Sequence, residues 1–357
     1  MGSTDRPVSP RFLVLAEQRF DTLYAKTAIC AIRYLPGQIA AVIDSNLSGR
    51  SVEDVLGFGG DIPIVSNLEE GLARDPDALL IGIAPAGGRL PAKWVELCVG
   101  AAEAGLDLWS GMHGPLAADP AVAAAARAAG IQLHDLRVPS RSFPVATGAA
   151  LDVDALVILT VGSDCAVGKL TASLELAEEL KRSGVAALMV PTGQTGILIA
   201  GWGVAVDAVP SDFVSGATEW LVLEGASRGG EVLLVEGQGA LSHPGYSGVT
   251  LGLLHGSLPH GMILCHEPGR EHHIGGGLEW TAVPELPAVV EMYEAAASWI
   301  RPAKVLGIAL NTSEVSEREA HRLVDEARDV TGLPAADPVR FGAGSLTEPI
   351  LELRSAV

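Results

Sequence analysis

Short, almost wholly apolar runs recur along the first part of the chain, separated by Ala-rich stretches with helical spacing. They are RFLVLA from Arg11, IAAVIDS from Ile39, ALLIGIA from Ala78 and LDLWSG from Leu106. A strand buried on both faces reads this way, whereas a strand with one wet face alternates. Strands alternating with helices predict βα units and a parallel sheet. A second series begins at ALVILTV from Ala155 and continues through VAALMVP, EVLLVEG, GMILCHE and KVLGIALN. Between the series, residues 137–154 (RVPSRSFPVATGAALDVD) are rich in Pro, Ser, Gly and Ala and hold no period, which marks a linker. The pattern predicts two α/β domains, 1–145 and 146–357. A length of 357 residues agrees, because one hydrophobic core stops growing beyond roughly 250–300 residues.

Pro63, Pro85, Gly87 and Gly88 punctuate loops after the first-domain strands, where α/β proteins place ligands. The GFGG at 57–60 is a weak dinucleotide signal. It lacks the full G-x-G-x-x-G and does not follow the first strand.

Charge narrows the partners. Lys and Arg number 24 against 43 Asp and Glu, a net charge of −19, which opposes binding to nucleic acid and to anionic membranes. No apolar run reaches the roughly 18–20 residues that span a bilayer. The start, MGSTDRPVSPRFLVLAEQRF, lacks the pattern of an export leader, and Arg6 stands where a myristoylation motif has Ser or Thr. Cys30, Cys98, Cys165 and Cys265 are far apart with no CxxC pair, so neither a zinc ribbon nor a disulfide framework is expected. A reducing cytoplasm is the expected compartment, and any anionic ligand must be captured locally.

GSDCAVGKLT supplies such a place. It follows a buried strand and precedes TASLELAEELKRSG, whose Leu174, Leu176, Ala177 and Leu180 form an apolar face and whose Gly184 stops the helix. In a P-loop, backbone N–H groups and a helix N-terminus point at phosphate oxygens while a Lys brings mobile positive charge. Gly162, Ser163, Asp164, Cys165, Ala166, Val167, Gly168, Lys169, Leu170 and Thr171 are the expected phosphate-binding residues. Two departures matter. Ser163 stands at the first Gly position of G-x-x-x-x-G-K, so the spacing from Gly162 is one residue longer. Leu170 occupies the position of the magnesium-ligating hydroxyl, with Thr171 about 100° further round the helix.

Other candidates cluster at the strand ends of the second series. LLVEGQGALSHPGYSG delivers Glu236 to a sheet edge, where it can orient a metal ion or a reacting group, and places Ser242 and His243 in a glycine-rich substrate loop. His243 is suited to act as a base near neutral pH. PTGQTG reads as a turn presenting Thr192, Gln194 and Thr195 to a small ligand, with Asp212 further on as an amine partner. CHEPGREHHIGGG brings His266, Glu267, His272 and His273 close in sequence as metal ligands, although Pro268 and Gly269 leave their convergence open. Arg270 can pair a carboxylate or phosphate, and His266 lines the substrate. Asn311, ending ALN before a capping-box-like Ser313 to Glu317 region, reads either as a purine-edge contact or as a turn residue.

GSDCAVGK resembles the extended P-loop of dethiobiotin synthetase and its relatives, and VEGQG the acidic strand end of that superfamily. Together with TGQTGILIAG, SHPGYSGVTLGLLHGS, LCHEPGR and ALNTSEVSE, the chain is similar to the D-glutamate N-acetyltransferase-like family. The likeness extends more loosely through AKTA at 25–28 and IGIAPAGGRLP at 81–91, while AAVIDSNLSGRSVEDVLGFGGDIPIVSNLEEGL looks more like a broader branch. The resemblance implies a Rossmann-like N-terminal domain joined to a P-loop NTPase-like C-terminal domain with a mainly parallel sheet. It also implies acetyl transfer from acetyl-CoA to an amino acid amine, carried by a homo-oligomer. Lys169, Glu236 and His243 are then the catalytic residues. The alternative is an ATP-dependent ligase or kinase in which Glu236 holds magnesium. A non-enzymatic nucleotide sensor is the third reading.

Overall fold

The computed structural model describes residues 10–21, 25–83 and 90–356. MGSTDR, Pro85, Gly87 and Gly88 therefore lie outside the described residues. The chain divides into two compact units, one comprising Met1–Pro139 with Ile197–Gly201 and the other Ser140–Gly196 with Trp202–Val357. The main division falls at 139/140, inside the stretch read as a linker.

The first unit holds a six-stranded sheet: β1 (Phe12–Leu15), β2 (Ile39–Ile43), β3 (Ile64–Val65), β4 (Ala78–Ile81), β5 (Asp107–Ser110) and β6 (Leu133–Asp135). The order is β3-β2-β1-β4-β5-β6 and every pairing is parallel, the doubly wound Rossmann arrangement. β1, β2 and β4 are buried throughout, which is why they read as unbroken apolar runs. GFGG lies away from any strand-to-helix turn: Gly57 caps the short helix Glu53–Leu56 in the left-handed region, and a Cβ at Gly59 would stand 2.6 Å from the Val52 side chain.

The second unit holds β7 (Leu156–Gly162), β8 (Ala187–Val190), β9 (Val232–Val235), β10 (Gly261–His266), β11 (Lys304–Leu310) and β12 (Ala335–Ala336). The order is β12-β11-β10-β7-β9-β8, again parallel throughout. β7 is buried at every position and lies between β10 and β9. The carboxyl ends of β7, β9, β10 and β11 therefore open on one edge, the edge where open α/β sheets bind ligands. Leucines, valines and alanines from both faces make an aliphatic core, with Tyr293 wholly enclosed in it. Among the described residues, no helix is long and apolar enough to cross a membrane.

Candidate functional site: a P-loop crown at the central strand

β7 runs straight into the loop 163–168, and the helix Lys169–Arg182 starts at the Lys itself. Two residues let the backbone turn: Ala166 at φ +55 and Gly168 at φ +96, both left-handed. Gly162 is tightly held, since a Cβ there would meet the Lys169 ammonium at 2.8 Å and the Asp164 carbonyl at 2.9 Å. Lys169 Nζ donates to the Asp164 carbonyl oxygen at 2.7 Å, so the buried ammonium lies across the loop. Leu170 is buried in the helix face and Thr171 is half-buried.

The side chain of Asp164 turns into the protein. Its Oδ1 faces His273 Nδ1 at 2.9 Å, and its Oδ2 accepts from Ile274 N–H at 2.8 Å and from Arg270 at 3.0 Å. Burial alone would raise this carboxyl. The hydrogen bonds from His273, the Ile274 and Cys165 N–H groups and Arg270 together outweigh that and hold it below its ordinary value. Arg270 also donates to the Cys165 carbonyl at 2.6 Å and to Glu267 at 2.7 Å, clamping the loop crown from outside. Both carboxylates hold its guanidinium charged against the cost of burial. Arg270 thus pairs carboxylates of the protein itself.

His266 ends β10 half-buried, with Nδ1 2.9 Å from Ser163 Oγ. Burial, with help from the Arg270 charge, pushes it down to about 4, so it is neutral near pH 7. His273 is buried beside Asp164, and His272 lies exposed near the Thr281 carbonyl. His266, Glu267, His272 and His273 therefore do not converge on one point. The three-ligand group found among the described residues is instead Asp164, Cys165 and His243, and it contains no Glu236.

Glu236 follows β9 and is 6% exposed. Its Oε2 accepts from Thr192 and Gly193 N–H at 3.1 and 3.2 Å, while the Thr192 hydroxyl donates to the Glu236 carbonyl at 2.7 Å. TGQTG is thus only partly a turn: Pro191 to Gly193 bend, and Gln194 opens the helix Gln194–Ala200, in which Thr195 is buried and Gln194 half-buried. A Cβ at Gly196 would come within 2.5 Å of Glu236 Oε2, so the helix can approach only because that residue is Gly. Asp212 is exposed in the 3-10 turn Ser211–Phe213, and Ser242 is half-buried in its loop.

His243 is 2% exposed. Its Nδ1 accepts from Gly245 N–H at 3.1 Å, and its Nε2 lies 3.1 Å from the Ile274 carbonyl, an acceptor, so the proton sits on Nε2. The ring ties the 240–246 loop to residue 274. Asn311 donates to Glu267 at 3.4 Å and accepts from Ser313 N–H at 3.3 Å, the turn geometry, while its own N–H holds the His266 carbonyl. Beside His266 and Arg270 opens a cavity of about 650 Å³ with an apolar wall that includes Leu286, Leu310, Leu323 and Val330.

Tyr293 escaped the sequence reading. Its phenol donates to the Gly162 carbonyl at 2.8 Å and accepts from Leu241 N–H at 3.2 Å, joining the P-loop entrance to the Glu236 loop. Its one visible mark is an aromatic residue within the small-residue stretch EMYEAAAS.

The neutral histidines set a pH dependence. His266 and His260 are both held near 4 by burial, then by Arg270 and Arg301 respectively, against 6.5 for the free side chain. The unfolded chain therefore binds more protons between pH 6.5 and 4, so stability is full above that window and falls as pH drops through it. The urea midpoint is expected to fall from pH 7 to pH 5, and His266→Gln should flatten part of that slope. An equal midpoint at both pH values would refute the assignment.

Comparison with known proteins agrees with the geometry. Residues 45–139 match the Rossmann-like DUF1611_N domain and residues 144–347 the DUF1611_C P-loop domain, both described as domains of unknown function. The chain is 40% identical over 301 residues to a D-glutamate N-acetyltransferase of Tritonibacter scottomollicae, covering 82% of this chain and 87% of that protein. It is 38% identical over 268 residues to one from a Pseudoalteromonas species, covering 75% and 79%. The crystal structure of a DUF1611 family protein from Anabaena variabilis superposes with a TM-score of 0.91 at 37% identity, over 96% of this chain and 99% of that one. With both of its domains and the P-loop between β7 and the helix Lys169–Arg182 accounted for, the chain belongs to the DUF1611 family.

Proposed function

We propose that this protein is an amino acid N-acetyltransferase that moves the acetyl group of acetyl-CoA onto the amine of a D-glutamate-type acceptor. The observation that carries the reading is Leu170, buried at the position where a P-loop ATPase keeps its magnesium-ligating hydroxyl. A CoA pyrophosphate needs no such ion: the loop N–H groups of 163–169, the helix N-terminus and Lys169 supply the positive field. The names of the two relatives near 40% identity support the reaction class. The apolar cavity beside His266 and Arg270 suits the uncharged arm or the base of CoA better than it suits a highly charged triphosphate. The four widely spaced cysteines, with no CxxC pair, fit a reducing cytoplasm.

One observation favours ATP instead. Glu236 is a buried carboxylate at the end of β9, the strand paired with the β7 that leads into the P-loop. A ligase would use it to hold magnesium. Mass spectrometry of an amino acid panel incubated with acetyl-CoA or with Mg-ATP separates the two. Acetyl transfer gives a product heavier by about 42 mass units in excess EDTA, the increment of replacing one amine hydrogen by acetyl. A strict magnesium requirement with ADP or AMP release and no acetylated product would establish the ligase.

Lys169→Ala is expected to weaken acetyl-CoA binding by about tenfold or more, because a charge-assisted hydrogen bond contributes roughly 1.5–3 kcal/mol. Calorimetry on the folded variant checks this, and unchanged affinity would remove Lys169 from the binding site.

A further inference from the structure

The first unit has a ligand-sized crevice of its own. Its strand order, β3-β2-β1-β4-β5-β6, reverses between β1 and β4, and open α/β sheets bind ligands outside the carboxyl ends at such a reversal. A cavity of about 360 Å³ is walled, among the described residues, by the segment after β1 (Glu17, Gln18, Arg19 and Asp21) and by the start of the helix after β4 (Lys93 and Trp94). Those are the two connections that diverge at the reversal. A dinucleotide does not suit the place. Residues 16–21 (AEQRFD) contain no glycine, so the backbone cannot make the close approach that a pyrophosphate needs.

Glu17 stands there instead, 4% exposed. Its Oε2 accepts from Ser45 N–H at 2.8 Å, and its Oε1 from the Ser45 hydroxyl at 2.7 Å and from the Lys93 ammonium. Burial raises this carboxyl, but the bonds from Lys93 and Ser45 outweigh that and hold it below its ordinary value, so it is charged near pH 7. A carboxylate has about four acceptor positions, which leaves one for a ligand. Lys93, whose side chain is 59% exposed, gives one of its three N–H donors to Glu17 and keeps two. Gln18 sits at φ +62, a left-handed conformation that costs a residue with a side chain and that recurs at ligand sites. Trp94, 5% exposed, adds an apolar wall.

The lining thus sets two acids, Glu17 and Asp21, against two bases, Arg19 and Lys93. A metal ion would meet the Lys93 ammonium, and a phosphate would meet the buried Glu17 carboxylate. A small molecule carrying both signs meets neither penalty. We propose that this cavity binds a free amino acid, its ammonium on the remaining acceptor position of Glu17 and its carboxylate on Lys93. An N-acetylated amino acid has no charged nitrogen and is refused. The proposal does not rest on the acetyl-transfer reading.

Hydrogen exchange of the full-length protein, followed by peptide mass spectrometry, tests it. The probes are D-glutamate, glycine, 2-oxoglutarate and N-acetyl-D-glutamate, each at about 10 mM, enough to fill a site of millimolar affinity. D-glutamate and glycine should slow exchange in the peptides covering 16–21 and 91–95, and the two probes without an ammonium should not. Lys93→Ala and Glu17→Gln should each raise the concentration giving half-protection by about tenfold or more, since each removes a charge-assisted hydrogen bond. Lys93 is exposed, so Lys93→Ala should melt with the wild type and keeps the test valid even where Glu17→Gln weakens the unit. No protection by either amino acid would overturn the proposal. Equal protection by 2-oxoglutarate would do so as well, making the cavity a plain anion site, and so would full protection in Lys93→Ala. Failure of the acetyl-transfer reading shows elsewhere, as no acetylated product, and leaves these exchange patterns unchanged.

Discussion

Asp164→Asn is expected to lower the melting temperature of the P-loop unit by about 10 °C. The carboxylate is fully enclosed and receives His273, Ile274 N–H and the Arg270 guanidinium. Asn keeps the shape but turns one acceptor into a donor, so one of those three N–H groups must face an NH₂. Breaking a buried ion pair typically costs about 3–5 kcal/mol, and each kcal/mol shifts a domain of this size by about 2–4 °C. The carboxyl is held below its ordinary value in the folded state. The stability it contributes is therefore present above the unfolded carboxylate value and lost as pH falls below it. The Asn variant should consequently lose its disadvantage relative to the wild type in acid. Glu267→Gln removes the other partner of Arg270, which is more exposed, and should cost well under half as much. Equal melting temperatures for Asp164→Asn and the wild type would mean that the loop is held by its backbone alone.

The fold class was legible because its main signal is local. Strands buried along most of their length leave nearly unbroken apolar runs, and eight of the nine runs match β1, β2, β4 and β7 to β11, while LDLWSG falls on β5, whose burial alternates. β3, β6 and β12 were not legible, since two or three residues are too few to carry a period. The P-loop was legible through the coincidence of strand, glycine-rich turn and helix. What the pattern concealed was which way side chains turn. Asp164 reads as one more loop residue, yet its partners lie 106 to 110 residues further along the chain. Thr192 reads as a ligand contact, yet its hydroxyl and N–H are both committed to Glu236. Tyr293 stands 131 residues from the Gly162 carbonyl that it holds. Pairings of that kind depend on strand order, which β7 sets by lying between β9 and β10, and no local periodicity encodes it.

The glycine after Glu236 illustrates the same dependence and supports the other large effect. Gly237→Ala is expected to give insoluble protein or a fall in melting temperature of more than about 10 °C. A Cβ at this position would lie 1.7 Å from the Thr160 carbonyl oxygen and 2.8 Å from its carbon, with Lys169 Cδ at 3.1 Å. Overpacking commonly costs about 1–3 kcal/mol, where neighbouring side chains can move aside. Here the obstacle is backbone of β7, the central strand, held by β9 and β10 on either side. The Gly237 N–H also donates to the Thr160 hydroxyl at 3.0 Å, so displacing the residue forfeits that bond and shifts Glu236 with it. Gly248 provides the control. It is exposed in the helix Ser247–Ser257 with no atom near its missing Cβ, and Gly248→Ala should be neutral or stabilising by up to about 1 kcal/mol. The same added methyl thus has opposite consequences eleven residues apart. A soluble Gly237→Ala protein that melts with the wild type would show that the residues after β9 and the end of β7 can part without cost, and would dissolve the geometric link between the Glu236 loop and the P-loop.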